Sequence, residues 1–410
     1  MMLSTEEALR TMLECAERLR PVEVPLDEAA GLILADDIEA RGSVPPFTNS
    51  AMDGFAVQAS DIVSATTERP VRLRILEDVP AGTVAAGSVA AGTTMRIMTG
   101  APIPPGADTV VQVELTRLEG SEVLVLKALR PGTNVRLAGE DMKDGATVLR
   151  RGTLLRPGEV GVCAAAGHAV VSVYRRARVA ILTTGTELVD VSVVPGAGQI
   201  RDANAHSLRA QVGAIAAEPL VFPRVADTRE AVRAAVMQAL EQADVVLTNG
   251  GVSVGDYDFV KEVLEDLGAQ LVFWRVKQKP GKPMAFWTLG SKYVVGLPGN
   301  PVSCMVCTEE YGRPMVRRMM GFPLLYRPVR SAVLDETYAK GADAGRTHFV
   351  RVRLHEQDGA LRAVLTGPQG SGILTSMAEA EALAIIPEDV STLEAGSLVE
   401  VQLTDLPEDH

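Results

Sequence analysis

The sequence predicts a multidomain α/β plus β protein: a doubly wound, mostly parallel αβα domain, a small inserted β domain, a helical segment and a C-terminal β domain. Three observations carry this. Between Arg178 and Met320 short β-branched runs alternate with longer amphipathic stretches, the pattern of βαβ units. Arg41 to Gly139 is rich in Pro, Gly and Thr, with short alternating runs such as Val71 to Leu76 and Val123 to Leu126. Past Pro323 the chain alternates again, over Arg330 to Leu334, Phe349 to Leu354, Ala360 to Leu365 and Leu398 to Leu403. The division that follows assigns residues 1–41 and 141–172 to a helical or linker domain and 42–140 to the inserted β domain. Residues 173–327 form the αβα domain and 328–410 the C-terminal β domain.

In chain order, Met1 to Arg20 carries Glu6, Glu7, Glu14 and Glu17 among apolar residues at helical spacing and reads as a surface helix, not a signal peptide. Leu3 to Leu34 and Arg156 to Ala166 are expected to be helical and to pack together as the layer that receives the insertion. Pro80 to Gly92 is Ala/Gly-heavy and reads as a long loop. In the αβα domain, strands are expected at Val179–Leu182, Pro219–Phe222, Val245–Leu247, Gln270–Val276 and Tyr293–Val295. Helices are expected at Ala203–Ala216, Thr228–Gln242, Asp258–Leu267 and Val302–Met320. Ala231, Val232, Ala235, Val236, Ala239 and Leu240 make one apolar stripe, with Asp227 as the N-cap or the residue before it.

The charge excludes some functions. Forty Lys and Arg stand against 52 Asp and Glu, a formal charge of −12 with no basic block, so phosphate backbones are repelled and no nucleic-acid partner is expected. Aromatics at 4% offer no stacking platform for single strands. No run reaches 18 apolar residues, so no membrane span is expected. Four cysteines make no disulfide framework, which points to the cytoplasm. Cys304 and Cys307 form a CxxC: a redox pair, half of a zinc site, or two small apolar residues one turn apart on a buried helix face.

In an open parallel sheet, ligands bind beyond the C-terminal strand ends, and three such loops are unusual. They are Thr183 to Leu188, Thr248 to Asp258, and Gly296 to Ser303 with Pro301 suited to a first helical turn. Gly-rich turns opening on helix N-termini favour an anion. Asp256 stands where a P-loop after Gly250-x4-Gly255 needs Lys, and no G-x-G-x-x-G follows a strand, so neither that NTPase nor a nicotinamide enzyme is expected. The turn Lys277 to Pro283 is a basic, rigid segment in an acidic protein, either solubilising or aimed at an oxyanion through Lys279 and Lys282. Glu187, Asp227 and Asp258 fall near the same edge, and Asp53 and Asp141 lie in the β region. An acid-lined anion site requires a cation, and Mg²⁺ held by one or two carboxylates and substrate phosphates meets that need. Taken singly, Asp227 is equally a helix cap and Asp53 a turn residue.

These strings, in order, resemble the molybdopterin molybdenumtransferase family, called MoeA in bacteria and similar to the E domain of gephyrin and its plant counterpart. They are Asn49–Phe55, Arg96–Pro102, Gly139–Asp141, Thr184–Leu188, Gly250–Asp256, Lys279–Pro283 and Gly296–Ser303. The resemblance implies an αβα domain of molybdopterin-binding type and an elongated homodimer, with the αβα and β domains of opposite subunits forming the active cleft. It implies that molybdate enters adenylylated molybdopterin, that the adenylyl bond is hydrolysed with a divalent metal, and that molybdenum cofactor and AMP leave. Transient contact with the molybdopterin adenylyltransferase and with molybdoenzymes is implied as well. Carried over position by position, Asp53, Thr99, Asp141, Glu187, Asp227 and Asp258 are catalytic, with Asp53, Glu187, Asp227 and Asp258 as metal ligands. Gly250, Gly251, Ser253, Gly255, Pro298 and Pro301 would cradle the pterin phosphate region, and Lys279, Lys282, Ser303, Arg351 and Ser371 the molybdate. Thr186 and Arg275 depart from the family, which has Asp at the first position in many bacterial members and Lys at the second in one. Two rival readings stand: a molybdopterin adenylyltransferase, against which Asp53 and Asp141 in the extra β domain argue, and a non-catalytic dimeric scaffold or store for pterin or peptide.

Overall fold

The computed structural model describes residues 2–250 and 259–404. Contacts divide the chain into two compact units. One comprises Met1–Val22, Gly31–Ala35 and Val173–His410, the other Glu23–Ala30 and Asp36–Ser172.

The first unit is built on a six-stranded sheet in the order Glu218–Val221, Arg178–Thr183, Val245–Asn249, Lys292–Leu297, Ala285–Leu289, Gln270–Trp274. The first four strands run parallel, and Ala285–Leu289 is antiparallel to both its neighbours. Helices cover both faces, so the strands read as continuous apolar runs rather than alternating ones. On one face Leu208 and Val212 of the helix Ala203–Ala214 pack with Ile181, Leu247 and Val295. On the other, Val232 and Val236 of Arg229–Gln242 and Val263 of Phe259–Asp266 pack with Ala180, Val246 and Val294. The Ala285–Leu289 strand escapes a sequence reading because Pro283 and Gly290 leave it a short apolar run with no period of its own.

Two helical expectations need correction. Residues 3–34 are α-helical only over Thr5–Cys15, where Ser4 and Glu7 form a reciprocal capping box. Pro21 and Pro25, which lack an N–H, then bracket a strand, and Ile33–Leu34 is a strand too. The buried face of that helix, Ala8 and Met12, enters the core of the αβα sheet. The helix from 302 to 320 is not uniform: Pro301–Cys307 and Arg313–Met319 are α-helical, and Thr308–Gly312 between them is a π-helix. Pro314 has no N–H to close the α turn there.

The C-terminal sheet runs Thr347–Gln357, Ala360–Leu365, Val329–Leu334, Leu398–Leu403, Ala382–Ile386, and the last strand pairs back with the first to close a barrel. Its alternating residues Val350, Val352, Ala363, Ala384 and Val401 fill the interior. The pair Gln278–Lys279 adds to this sheet, parallel to Thr347 and His348. The lysine turn is therefore stitched to the barrel.

The second unit holds a six-stranded sheet in the order Thr109–Gln112, Gly54–Val57, Thr93–Ile97, Val71–Val79, Glu122–Val125, Thr116–Glu119. Phe55, Leu73, Val111 and Val123 fill one side, and Ala56, Met95 and Val110 the other. The helix Pro157–Ala165 belongs to this unit. Among the described residues no helix is long and apolar enough to cross a membrane.

Candidate active site

In the second unit, the segment Asn49–Ala51 is held on two sides. Asn49 and Ser50 pair with Arg136 and Val135, and Ser50 exchanges backbone hydrogen bonds with Gly100 and Ala101. This places Asp53 beside Thr99, whose backbone N–H and hydroxyl both donate to Asp53 Oδ1, at 2.8 and 2.7 Å. The Thr99 backbone bond, then its hydroxyl, holds the Asp53 carboxyl below its ordinary value. The carboxylate is exposed, so it stands ionised and open on its second oxygen. Asp141 is exposed in the turn beyond, and its N–H donates to Val44 O.

In the first unit the strand-end loops border a cavity of about 450 Å³, whose lining includes Thr184, Glu187, Asn204, Asn249, Gly250 and Asn300. Asp227 is not a cap: Thr228 caps the following helix by accepting from Ala231 N–H, and Asp227 Oδ2 accepts from Thr186 N–H at 3.0 Å. Asp227 thereby braces the loop that carries Glu187, whose exposed carboxylate lies over Gly185. Gly250 adopts φ +90°, and a Cβ there would fall 2.9 Å from Thr184 O, so only glycine fits this strand end. Its N–H donates to Leu297 O. Gly251, Ser253, Gly255 and Asp258 lie outside the described residues.

Sequence reasoning missed the amide pair that shapes this cavity. Asn204 Nδ2 donates to Asn249 Oδ1 and to Gly299 O, both at 2.7 Å, and Asn249 Nδ2 donates to Pro298 O at 2.7 Å. Pro298 is thus a buried acceptor in the wall, and Pro301 opens the helix Pro301–Cys307. Asp202, an N-cap just after a strand, was the available signal for this corner.

The lysine turn ends at Pro283, which also lines the cavity. Lys279 Nζ donates to Asp343 Oδ2 at 2.8 Å, and that pairing, first through its hydrogen bond, holds the Asp343 carboxyl low. Lys282 is half-buried, and its carbonyl accepts from Val276 N–H. Ser303 is buried. Ser371 Oγ accepts from Asn300 Nδ2 at 3.0 Å, and its carbonyl accepts from Val302 N–H. Arg351 is 1% exposed. Its Nε donates to Ser376 Oγ and its Nη2 to Gly370 O, so it braces the loop that carries Ser371. Arg275 stacks on Trp274, 4.2 Å from the ring centroid. Asp343, distant in sequence from the turn it neutralises, gave no motif to read.

Among the described residues no three His, Cys, Asp or Glu side chains cluster as a metal site. Glu187 and Asp227, on two loops joined by the Thr186–Asp227 hydrogen bond, nonetheless offer hard oxygen donors, a set that suits Mg²⁺ when phosphate oxygens complete its shell. The CxxC is no zinc half-site: Cys304 and Cys307 are fully buried, and burial pushes both thiols up.

Three family models match the chain: the MoeA N-terminal region (domain I and II) over residues 3–167, a probable molybdopterin binding domain over 180–318, and the MoeA C-terminal region (domain IV) over 334–404. Molybdopterin molybdenumtransferase 2 of Mycobacterium tuberculosis is 38% identical over 407 residues, covering 98% of this chain and 99% of that protein. The molybdopterin molybdenumtransferase of Bacillus subtilis is 36% identical, covering 98% and 94%. Among solved structures, a molybdopterin biosynthesis MoeA protein from Pyrococcus horikoshii superposes with a TM-score of 0.81 at 31% identity, covering 98% of this chain and 100% of that one.

Proposed function

The chain belongs to the molybdopterin molybdenumtransferase family, and from that membership we propose that it is the molybdenum insertase of molybdenum cofactor biosynthesis. Molybdate enters adenylylated molybdopterin, water cleaves the phosphoanhydride to the adenylyl group, and molybdenum cofactor and AMP leave. The observation that carries this reading is the convergence in the first unit of a cavity of about 450 Å³ with mixed polar and apolar walls at the parallel strand ends, the loop carrying Glu187 and the end of the lysine turn. A substrate that is part pterin and part phosphate, together with a tetrahedral oxyanion, matches that combination.

In this reading Glu187 and Asp227 hold Mg²⁺, with Asp258 as a third candidate. When bound, the ion polarises phosphate oxygens and neutralises the charge that develops as the anhydride breaks. Lys279 and Lys282 hold the molybdate oxyanion, with Ser303 and Ser371 beside them and Arg351 fixing the Ser371 loop. Pro298, Pro301 and the glycine loop from Gly250 frame the pterin phosphate region. Asp53, oriented by Thr99, and Asp141 act on the substrate or its metal. We propose further that the chain works as a cytoplasmic homodimer that meets the adenylyltransferase upstream and molybdoenzymes downstream, the dimer being checked by light scattering.

The test is AMP release from purified protein given adenylylated molybdopterin, with molybdate and Mg²⁺ each added or withheld. Release that needs both is expected. Substrate binding without any release would move the reading to the store or scaffold.

A further inference from the structure

Beneath the lysine turn lies a buried polar chain that no motif announces. Gln278, adjacent to Lys279, is 0% exposed, and its Nε2 donates to Gly281 O at 3.3 Å and to Cys307 Sγ at 3.2 Å. Its Oε1 accepts from the Tyr311 hydroxyl, which burial pushes far above its ordinary value and so keeps as a donor. Cys307 Sγ in turn lies 3.6 Å from Gly281 O. Gly281 itself sits at φ +95°, and a Cβ there would fall 2.6 Å from Gln278 Nε2 and closer still to Cys307 Sγ. The turn therefore rests directly on these groups with no side chain between.

Each contact is directional. The amide of Gln278 is fixed in one orientation, because Gly281 O can only accept and the protonated Tyr311 hydroxyl donates to the other end. Tyr311 and Cys307 come from the helical run after Pro301, at and beside the π-helical stretch, so the wider turn there places Tyr311 under the loop. The second cysteine of the CxxC is accounted for in this way. Cys304 does the parallel work one turn earlier, its Sγ accepting from Asn249 Nδ2 at 3.1 Å behind the Gly250 strand end.

We propose that Gln278, held by Tyr311 and Cys307, is a positioning residue for molybdate: it sets the height and orientation of the loop from Lys279 to Lys282 and so the affinity for the tetrahedral oxyanion, without touching the substrate. The proposal rests on the assignment of that loop to molybdate. Removing a buried hydrogen bond leaves its partner unsatisfied, a loss that corresponds to about tenfold in affinity.

The test uses the full chain with Gln278→Leu, Tyr311→Phe, Cys307→Ala and Cys307→Ser. AMP release is measured against molybdate and against adenylylated molybdopterin, alongside melting temperature. Direct molybdate binding is measured by equilibrium dialysis. Gln278→Leu and Tyr311→Phe are expected to raise the molybdate KM about tenfold, with kcat at saturating molybdate and the KM for the pterin substrate nearly unchanged. Cys307→Ala is expected to raise it about threefold, and Cys307→Ser, which keeps an acceptor, to restore it. A folded Tyr311→Phe protein with wild-type molybdate affinity overturns the proposal, as does an equal loss for both substrates. Should Gln278→Leu not fold, Tyr311→Phe and the cysteine pair decide. If the wild-type protein binds molybdate but releases no AMP, the insertase reading falls while the dialysis constants still judge the positioning role. If it binds no molybdate, both fall.

Discussion

Asp53, in a turn, and Lys279, on a two-residue strand, are both charged side chains, yet the protein holds them by opposite means. Asp53 is fixed by two dipoles from one residue, Thr99, both on a single oxygen, and no cation among the described residues pairs with it at contact distance. Lys279 is paired with a carboxylate, Asp343, contributed by the C-terminal region and shared with Arg346. Hydrogen bonds orient a carboxylate without neutralising it, so Asp53 keeps its charge. An ion pair neutralises what it orients, so an oxyanion arriving at Lys279 competes with Asp343. The first arrangement is a fixed tool and the second an exchangeable one.

The largest effect that would break this contrast comes at Asp53. Asp53→Ala should lower AMP release at least about 100-fold with the melting temperature unchanged, since the exposed side chain supports no packing. Thr99→Val, which removes only the hydroxyl, should cost about three- to tenfold and leave substrate binding intact. Unchanged turnover in Asp53→Ala would remove it from the chemistry. The exchangeable arrangement predicts a change of opposite sign: Asp343→Asn should lower the molybdate KM about two- to threefold, because a half-exposed pair is a weak competitor. A rise in KM would mean that the carboxylate holds Lys279 in place for its ligand.

The smallest effect concerns the barrel behind Lys279. His348 is buried beside Lys279's strand, its Nδ1 within 2.9 Å of the Tyr338 hydroxyl. Burial pushes its imidazole down to about 4 from 6.5. The folded state therefore binds the proton less readily than the unfolded one, and stability is lost as pH falls from about 6.5 toward 4. A thermal melt should drop by about 3 °C across that window, and His348→Gln should flatten the dependence. A wild-type melting temperature constant over that range would contradict the buried neutral imidazole.

Much of this was legible in the chain. The strand-end loops, the helices with apolar stripes and the Pro301 helix start are local, and the physics that makes them is written within ten residues. Asp53 and Thr99 were each readable from their own strings, but their contact depends on Ser50 bridging to Gly100 and Ala101, which no spacing reports. What stayed hidden is long-range. Asp343 reaches Lys279 across the lysine turn and the whole Pro301 helix, and the Thr5–Cys15 helix, which looked like surface, closes the αβα core. The resemblance groups Arg351 with the molybdate pocket, but no motif reports its burial or its hydrogen bond to Gly370 O beside Ser371. Asp227 was balanced between cap and ligand until Thr228 took the cap and left its carboxylate on the Glu187 loop.

In the proposed reaction, cleavage of the adenylyl bond is tied to molybdenum insertion. The most direct measurement takes one reaction with limiting adenylylated molybdopterin, saturating molybdate and Mg²⁺, and counts AMP by chromatography and pterin-bound molybdenum by elemental analysis in the same sample. Equal amounts of the two, both absent in Asp53→Ala, are predicted. AMP released with no molybdenum retained on the pterin would contradict the account, because the carboxylates and the lysine turn would then serve hydrolysis alone.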